Sequence, residues 1–320
     1  NTVEGISIAQ GSSGNTVGGI TAAARNVISG NNGMGIRIVD NDTANNTVRG
    51  NYIGVASNGT GALGNGSEGI SVGGNLNASG NVVGGIGAGE GNIISNNGSA
   101  GVGIGGSGAI NNPVRGNSIY NNAGLGIDLN AGGVTANDNQ DPDSGPNNLQ
   151  NFPVITSAYV SGSTKAIRGT LNSTPSTSGY VIDLYVNSTC NAAAPNNYGE
   201  GQTYLGTVGP LSTDGSGNTG TFVFNPAALT VGQVIAATAT DANGNTSEFS
   251  QCYTVTAGNS GTLIFTSTAI SVAENVAGGN AVISITRSGG TEGQVTANFS
   301  TSDGTATAPA QAAGSDANFP

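Results

Sequence analysis

The chain has 320 residues, among them 56 glycines, two cysteines, no tryptophan and no histidine, and its 18 acidic and 7 basic residues give a net charge of −11. This acidic balance, without a basic stripe, argues against binding to a phosphate backbone, so nucleic acid is not an expected partner. No apolar run reaches the length of a membrane span, so membrane insertion is not expected either. The lack of histidine excludes a Ser-His-Asp or Cys-His catalytic arrangement within this sequence.

The first 130 residues contain an internal repeat with a long period of 66 residues. Asn15-Thr-Val-Gly-Gly-Ile20 returns as Asn81-Val-Val-Gly-Gly-Ile86, and Val48-Arg-Gly-Asn51 returns as Val114-Arg-Gly-Asn117. A shorter glycine-apolar-x-apolar unit recurs with spacings of 30, 34, 32 and 25 residues, starting at Gly5, Gly35, Gly69, Gly101 and Gly126. A period of about 20–50 residues built from strand-sized pieces predicts a solenoid.

Each repeat is predicted to form three short strands, because apolar residues alternate with others and Ile and Val fill the inward positions. The first strand is the glycine-apolar-x-apolar unit. The second and third strands are marked by single apolar residues that recur in successive turns: Val17, Val48, Val83 and Val114 in the second, and Ile28, Ile53, Ile94 and Ile119 in the third. An asparagine precedes these strands, which favours a tight corner in the left-handed conformation.

Residues 1–130 resemble the right-handed parallel β-helices of the pectin-lyase-like superfamily. That resemblance implies two kinds of catalytic site, one with Ca²⁺ and a proton-abstracting Arg or Lys, the other with clustered Asp residues on the first strands. The outward positions of the first strands are Ser7, Arg37, Ser71, Gly103 and Asp128. Arg37 and Asp128 lie three turns apart, roughly 14 Å at the usual strand spacing, which is too far for a paired mechanism. No catalytic residue is therefore predicted, and Arg49 and Arg115 are explained by their equivalent repeat positions.

Residues 131–153 lack periodicity and are predicted to form an acidic cap and linker at the end of the solenoid. Asp138, Asp141 and Asp143, with Asn137 and Asn139, offer several hard oxygen ligands within seven residues, as Ca²⁺ prefers. The alternative is that these residues only form turns.

Residues 154–257 change to longer alternating segments, with predicted strands at 166–171, 180–186, 204–208, 220–224, 234–240 and 251–255. About seven strands in about 100 residues is typical of a β-sandwich. The stretch Ala237-Thr-Ala-Thr-Asp-Ala-Asn-Gly-Asn-Thr-Ser-Glu-Phe-Ser250 resembles the closing hairpin of bacterial Ig-like modules. Cys190 and Cys252 fall inside this unit, and an intradomain disulfide is the favoured interpretation for an exported module; two buried thiols are the alternative.

Residues 258–320 resemble the N-terminal half of a Calx-β domain, on the segments Leu263-Ile-Phe, Ile270-Ser-Val-Ala-Glu274, Ala281-Val-Ile-Ser-Ile-Thr-Arg-Ser-Gly289 and Val295-Thr-Ala-Asn-Phe-Ser-Thr-Ser-Asp-Gly-Thr-Ala306. The resemblance implies Ca²⁺ ligands at Glu274 and Asp316, with Asp303 as an addition. Either the sequence is a piece of a longer secreted protein, or another subunit completes the sandwich by strand addition, which would favour filaments.

Ten Asn-x-Ser/Thr sequons permit glycosylation of an exported chain, at Asn41, Asn45, Asn58, Asn65, Asn77, Asn97, Asn172, Asn187, Asn245 and Asn298.

The sequence therefore predicts an all-β protein: a parallel β-helix, then an Ig-like β-sandwich, then an incomplete Calx-β-like β-sandwich. The expected function is that of a non-catalytic extracellular or cell-surface structural or adhesive protein, such as a stalk or filament subunit, with surface glycans as a further partner. The alternative is a polysaccharide-binding or polysaccharide-cleaving, lyase-like β-helix. A groove along the first-strand face, lined by acids and aromatic residues, would favour that alternative, and none is expected.

Overall fold

The structure is a computed structural model that describes residues 1–74, 76–191, 197–267 and 282–298. Its regular elements are β-strands, apart from two short 3-10 helices at Ala22–Ala24 and Pro146–Leu149 within these ranges. None of the helices in the described part is long and apolar enough to cross a membrane.

The N-terminal part contains thirteen short strands that stack into three parallel sheets. The first sheet contains β1 (Ile6–Ile8), β4 (Ile36–Val39), β7 (Ile70–Gly73), β10 (Val102–Ile104) and β13 (Ile127–Leu129). The second contains β2 (Thr16–Gly18), β5 (Thr47–Arg49), β8 (Val82–Gly84) and β11 (Val114–Arg115). The third contains β3 (Val27–Ile28), β6 (Tyr52–Ile53), β9 (Ile93–Ser95) and β12 (Ser118–Tyr120). Each sheet takes one strand from each turn, which is the architecture of a parallel β-helix.

The pairing register confirms the predicted three strands per turn. Val48 pairs with both Val17 and Val83 in the second sheet, and Ile53 pairs with both Ile28 and Ile94 in the third. The inward side chains of all three sheets form one apolar cluster along the interior. Because Ile and Val fill this narrow interior, the solenoid needs few aromatic residues in its core.

Three ladders of asparagine side chains run along the corners of the β-helix. In each ladder the side-chain amide of one asparagine donates to Oδ1 of the asparagine in the next turn, at 2.8–3.3 Å. The first ladder contains Asn15, Asn46, Asn81 and Asn112, the second contains Asn26, Asn51, Asn92 and Asn117, and the third contains Asn31, Asn65, Asn97 and Asn122. A buried amide without such a partner would destabilise the fold, so the ladders satisfy polar groups that the corners bury.

The ladders correct the predicted role of these asparagines. The left-handed residue at a corner is often the one before the ladder asparagine, for example Asn45 (φ 57°), Gly80 (φ 68°) or Asn111 (φ 57°). The ladder asparagines that follow them, Asn46, Asn81 and Asn112, are buried, and their side chains link adjacent turns. Such a corner therefore uses two adjacent residues. The first adopts the left-handed backbone conformation, and the second is the ladder asparagine.

Residues 154–257 form two four-stranded sheets. One sheet has the order β18 (Phe222–Phe224), β15 (Thr164–Thr170), β14 (Val154–Ser161) and β21 (Thr256–Ala257). The other has the order β17 (Thr203–Ser212), β16 (Ser178–Asn187), β19 (Val234–Thr240) and β20 (Tyr253–Thr254). Residues from both sheets, including Ile167 and Leu184, share a second apolar cluster, so the two sheets pack face to face. Their pairing is antiparallel, except that β14 and β21 run parallel.

The last turn of the β-helix packs directly against this sandwich. Tyr185, Ala236 and Phe249 of the sandwich belong to the same apolar cluster as the β-helix interior. Ile119 and Gly201 exchange two backbone hydrogen bonds of 2.8 and 2.9 Å, which continues the third sheet by one bridge. The sandwich therefore covers the open end of the solenoid.

After the sandwich, β22 (Thr262–Phe265) and β23 (Ile285–Ser288) form an antiparallel pair. Residues 268–281 and 299–320 lie outside the described part of the chain.

Candidate functional site

The outward row of the first sheet has the predicted members in register. Arg37 pairs with Ser7 and Ser71, and Gly103 pairs with Ser71 and Asp128. Arg37 and Asp128 are three strands apart, as the sequence predicts. Arg37 Nε lies 3.6 Å from Glu4 Oε1, so a carboxylate of the preceding turn matches its charge.

A small groove on this face contains a carboxylate that the sequence analysis missed. Its lining includes Glu68, Ser71, Gly103 and Asp128, and its volume is about 170 Å³. A Cβ at Gly103 would lie 3.3 Å from Glu68 Cγ, so this glycine leaves room for the glutamate. Glu68 occupies the position before the glycine of its repeat, as Glu4 does. Two acids therefore line this groove, and no aromatic residue is among its described lining residues.

Asp128 is partly buried in this groove. Its Oδ1 is buried and has no hydrogen-bond partner within the described residues. Burial raises its pKa above the ordinary range, and the nearby charge of Glu68 raises it further. The groove therefore holds two acidic groups whose charges interact unfavourably.

Arg49 and Arg115 also lie in ion pairs. Arg49 Nη1 lies 3.5 Å from Glu90 Oε1. Arg115 Nε and Nη2 donate to the two carboxylate oxygens of Asp183 on β16, at 2.7 and 2.8 Å. Asp183 is fully buried, so this bidentate pair ties the last turn of the second sheet to the sandwich.

The acidic linker brings Asp138, Asp141 and Asp143 together. One oxygen from each carboxylate lies within 4.8 Å of the others. Oδ1 of Asp138 and Oδ1 of Asp143 are buried without a hydrogen-bond partner in the described structure. Burial raises the pKa of Asp141 to about 6, partly offset by its hydrogen bond from Ser173. The three carboxylates could together hold one hard cation.

The two asparagines predicted beside this cluster, Asn137 and Asn139, differ in their contacts. Asn137 donates to the Phe152 carbonyl at 2.8 Å and accepts from the Phe152 N–H at 2.9 Å. Asn139 is exposed. Asn137 therefore closes the linker onto itself instead of facing a cation.

Cys190 and Cys252 form a disulfide bond, with their Cα atoms 5.9 Å apart. Cys190 follows β16, and Cys252 comes directly before β20. The bond therefore ties together two segments at one end of the same sheet.

The sequon asparagines divide into two groups. Asn41, Asn45, Asn58, Asn77 and Asn298 are exposed, and Asn172 is half-buried. Asn65, Asn97, Asn187 and Asn245 are buried. The side-chain amides of these four donate to Asn97 Oδ1, Asn122 Oδ1, the Glu200 carbonyl and Asp241 Oδ2 respectively. All four side chains are buried and leave no space for a glycan, so glycosylation there is incompatible with this structure.

Glu274, Asp303 and Asp316, the metal ligands implied by the Calx-β resemblance, lie outside the described residues. No model of a known protein family matches the chain.

Proposed function

We propose that this chain is a non-catalytic, exported structural protein, in which a β-helix and an Ig-like sandwich form one stiff stalk segment. The observation that supports this most strongly is the continuous junction, where Ile119 pairs with Gly201 and Arg115 with Asp183. Such a junction resists bending between the modules, because bending would break buried hydrogen bonds and a buried ion pair. The disulfide agrees with export.

The arginines also support a role without catalysis. Arg37, Arg49 and Arg115 each pair with a carboxylate, so their guanidinium groups are engaged within the protein. The purified chain should therefore release no unsaturated product from pectate or alginate, with or without Ca²⁺. Product absorbance above a heat-denatured control would overturn this part of the proposal.

A cell-surface location is tested separately from catalysis. Antibodies against the chain should label intact source cells, and external protease should remove the label. Label that appears only after permeabilisation would contradict an extracellular role.

The linker cluster supports Ca²⁺ as a bound ion. Asp138 Oδ1 and Asp143 Oδ1 are buried, and neither oxygen accepts a hydrogen bond within the described structure. A divalent cation would compensate the cost of burying both oxygens. Added Ca²⁺ should raise the melting temperature of the chain, and Asp138→Asn with Asp143→Asn should remove that increase. An equal increase in the double variant would show that Ca²⁺ acts elsewhere. The Calx-β-like ligands remain a separate proposal, tested by a second Ca²⁺ equivalent in calorimetric titration.

One observation favours the alternative of a polysaccharide-active β-helix, namely the groove with Glu68 and Asp128. Two carboxylates on the first-strand face could act on a glycosidic bond. If the chain is structural, the wild-type protein and the Glu68→Gln and Asp128→Asn variants should all show no hydrolysis. If wild-type protein releases reducing ends from a neutral polysaccharide and these variants do not, the alternative is correct.

Self-association by strand addition is also proposed for the region after residue 258. The side chains of Ile264, Phe265, Val282 and Ile283 are exposed among the described residues of that region. Exposed apolar side chains on a two-stranded pair favour an added strand. Sedimentation should then show concentration-dependent oligomers, whereas a monomer at high concentration would contradict it.

A further inference from the structure

A cleft of about 650 Å³ lies where the β-helix meets the sandwich. Residues 96–98 and 120–123 of the β-helix line one side, and residues 187–191 with Gln202 line the other. The buried Glu200 also contributes to the lining. None of these residues belongs to the groove with Glu68 and Asp128 or to the acidic linker cluster. The cleft is large enough for a small-molecule ligand.

The lining chemistry excludes several ligand classes. Its described lining contains no Lys or Arg, and the chain is strongly acidic, so an anion would be repelled. Among these described residues the one carboxylate is Glu200, whose Oε1 already accepts two bonds from Asn122, so a metal lacks ligands. An apolar ligand would desolvate a wall of amides and hydroxyls without replacing their hydrogen bonds. The ligand class that fits this lining is a neutral molecule rich in hydroxyl groups.

Tyr120 supplies an apolar surface within this polar cleft. It lies on the outward side of β12, opposite Ser95 in the register, and is half-buried. A tyrosine ring offers an apolar face and a polar tip. A sugar ring has the matching combination, a face of C–H groups with hydroxyls around its edge.

The remaining polar groups of the cleft are of two kinds. Some are held in hydrogen bonds within the protein, and others are exposed to solvent and can contact a ligand. Asn187 is buried and makes structural bonds, because it donates to the Glu200 carbonyl at 2.8 Å and accepts from the Gln202 N–H at 2.7 Å. Asn121, Ser188 and Thr189 are exposed at the cleft, and the Ser188 hydroxyl also donates a long bond of 3.5 Å to Gln202 Oε1. Their amide and hydroxyl groups can exchange hydrogen bonds with water for bonds with a ligand.

We propose that this cleft binds a short neutral oligosaccharide, with Tyr120 under one sugar ring and Asn121, Ser188 and Thr189 at its hydroxyl groups. The inference deepens the adhesive side of the proposed function and rests on it. Both walls are held in place, one by the third asparagine ladder and the other by the Cys190–Cys252 disulfide. Rigid walls lower the entropy lost on binding.

The test uses the full chain in calorimetric titrations with cellotetraose, xylotetraose and mannotetraose, and with tetragalacturonate as an anionic comparison. At least one neutral tetrasaccharide should bind, and Tyr120→Ala should weaken that binding about tenfold or more. Tyr52→Ala is the matched control, since Tyr52 lies on the same side of the third sheet two strands away. It should leave the affinity unchanged.

If Tyr120→Ala does not fold, Asn121→Gly serves instead, because Asn121 has a φ of 56° that glycine adopts without strain. This variant should also weaken binding. Binding of none of the neutral sugars, binding of tetragalacturonate alone, or equal loss in Tyr52→Ala would overturn the proposal. If intact cells are labelled but no sugar binds, the proposal for the cleft is wrong and the stalk proposal still stands.

Discussion

Glu200 takes the place of the next asparagine after Asn122 in the third ladder. Its Oε1 accepts the Asn122 N–H at 3.2 Å and the Asn122 side-chain amide at 2.9 Å, as Asn122 Oδ1 does for Asn97. The first ladder ends in a similar way, because Asn147 Oδ1 accepts the Asn112 N–H at 3.0 Å. The linker and the sandwich therefore supply the acceptors that another β-helix turn would supply.

Glu200→Ala should lower the free energy of unfolding by about 2–4 kcal/mol, because it leaves the two buried Asn122 donors without an acceptor. Glu200→Gln is the control, since its amide oxygen can accept both bonds. Urea unfolding of the two variants measures the difference. Equal losses in Ala and Gln would mean that the charge, and not the acceptor, matters at this position.

The free energy of unfolding should fall as the pH rises from about 4.5 to 8. Burial raises the pKa of Glu248 to about 8, although the Leu129 and Thr135 N–H groups donate to its oxygens. The ordinary pKa of this group is 4.5, so in that window the folded chain holds a proton that the unfolded chain has released. A higher pH therefore favours unfolding, by on the order of a few kcal/mol across the window. Glu248→Gln should flatten this part of the profile, and an unchanged slope would contradict the assignment.

Asn65→Ala should lower the free energy of unfolding by about 2–4 kcal/mol. It removes the acceptor of two Asn31 bonds and the donor to Asn97 and to the Ile28 carbonyl. Asn32→Ala is the matched control, because Asn32 is an exposed asparagine one residue from the same ladder. A loss no larger than that of the control would show that the ladder contributes little.

Removing the Cys190–Cys252 bond by Cys190→Ser with Cys252→Ser should lower the free energy of unfolding by roughly 4 kcal/mol, because the bond closes a long loop in the unfolded chain. Intact-mass analysis of unreduced, alkylated protein checks the bond itself. Two alkylated thiols in that sample would rule the bond out.

The β-helix was predictable because its signals are local and repeated. The inward position of Val48 or Ile53 follows from alternation within a few residues, and the repeat then places the same residue in the next turn. The ladders left a visible signal too, since Asn51 and Asn117 recur at equivalent positions. That signal was assigned to corner geometry, whose left-handed residue often precedes the asparagine, as at Gly50 and Gly116.

The junction was not predictable in this way. Glu200 lies 78 residues from Asn122, and Glu248 lies 119 residues from Leu129, so no short pattern links the partners. In the sequence alone, both glutamates are ordinary polar residues of a loop. Their partners become evident only from the contacts between the sandwich and the β-helix. Glu68 was not predictable for a different reason, because it precedes the glycine and lies outside the alternating glycine-apolar-x-apolar unit.

Hydrogen exchange followed by mass spectrometry tests most directly whether the sandwich completes the β-helix. Peptides from the last turn, residues 118–129, are compared with peptides from a middle turn, residues 70–95. The structure predicts similar protection in both turns for the wild-type chain, and a selective loss in the last turn for Glu200→Ala. Fast exchange of the last turn in the wild-type chain, with the sandwich still protected, would contradict a single continuous unit.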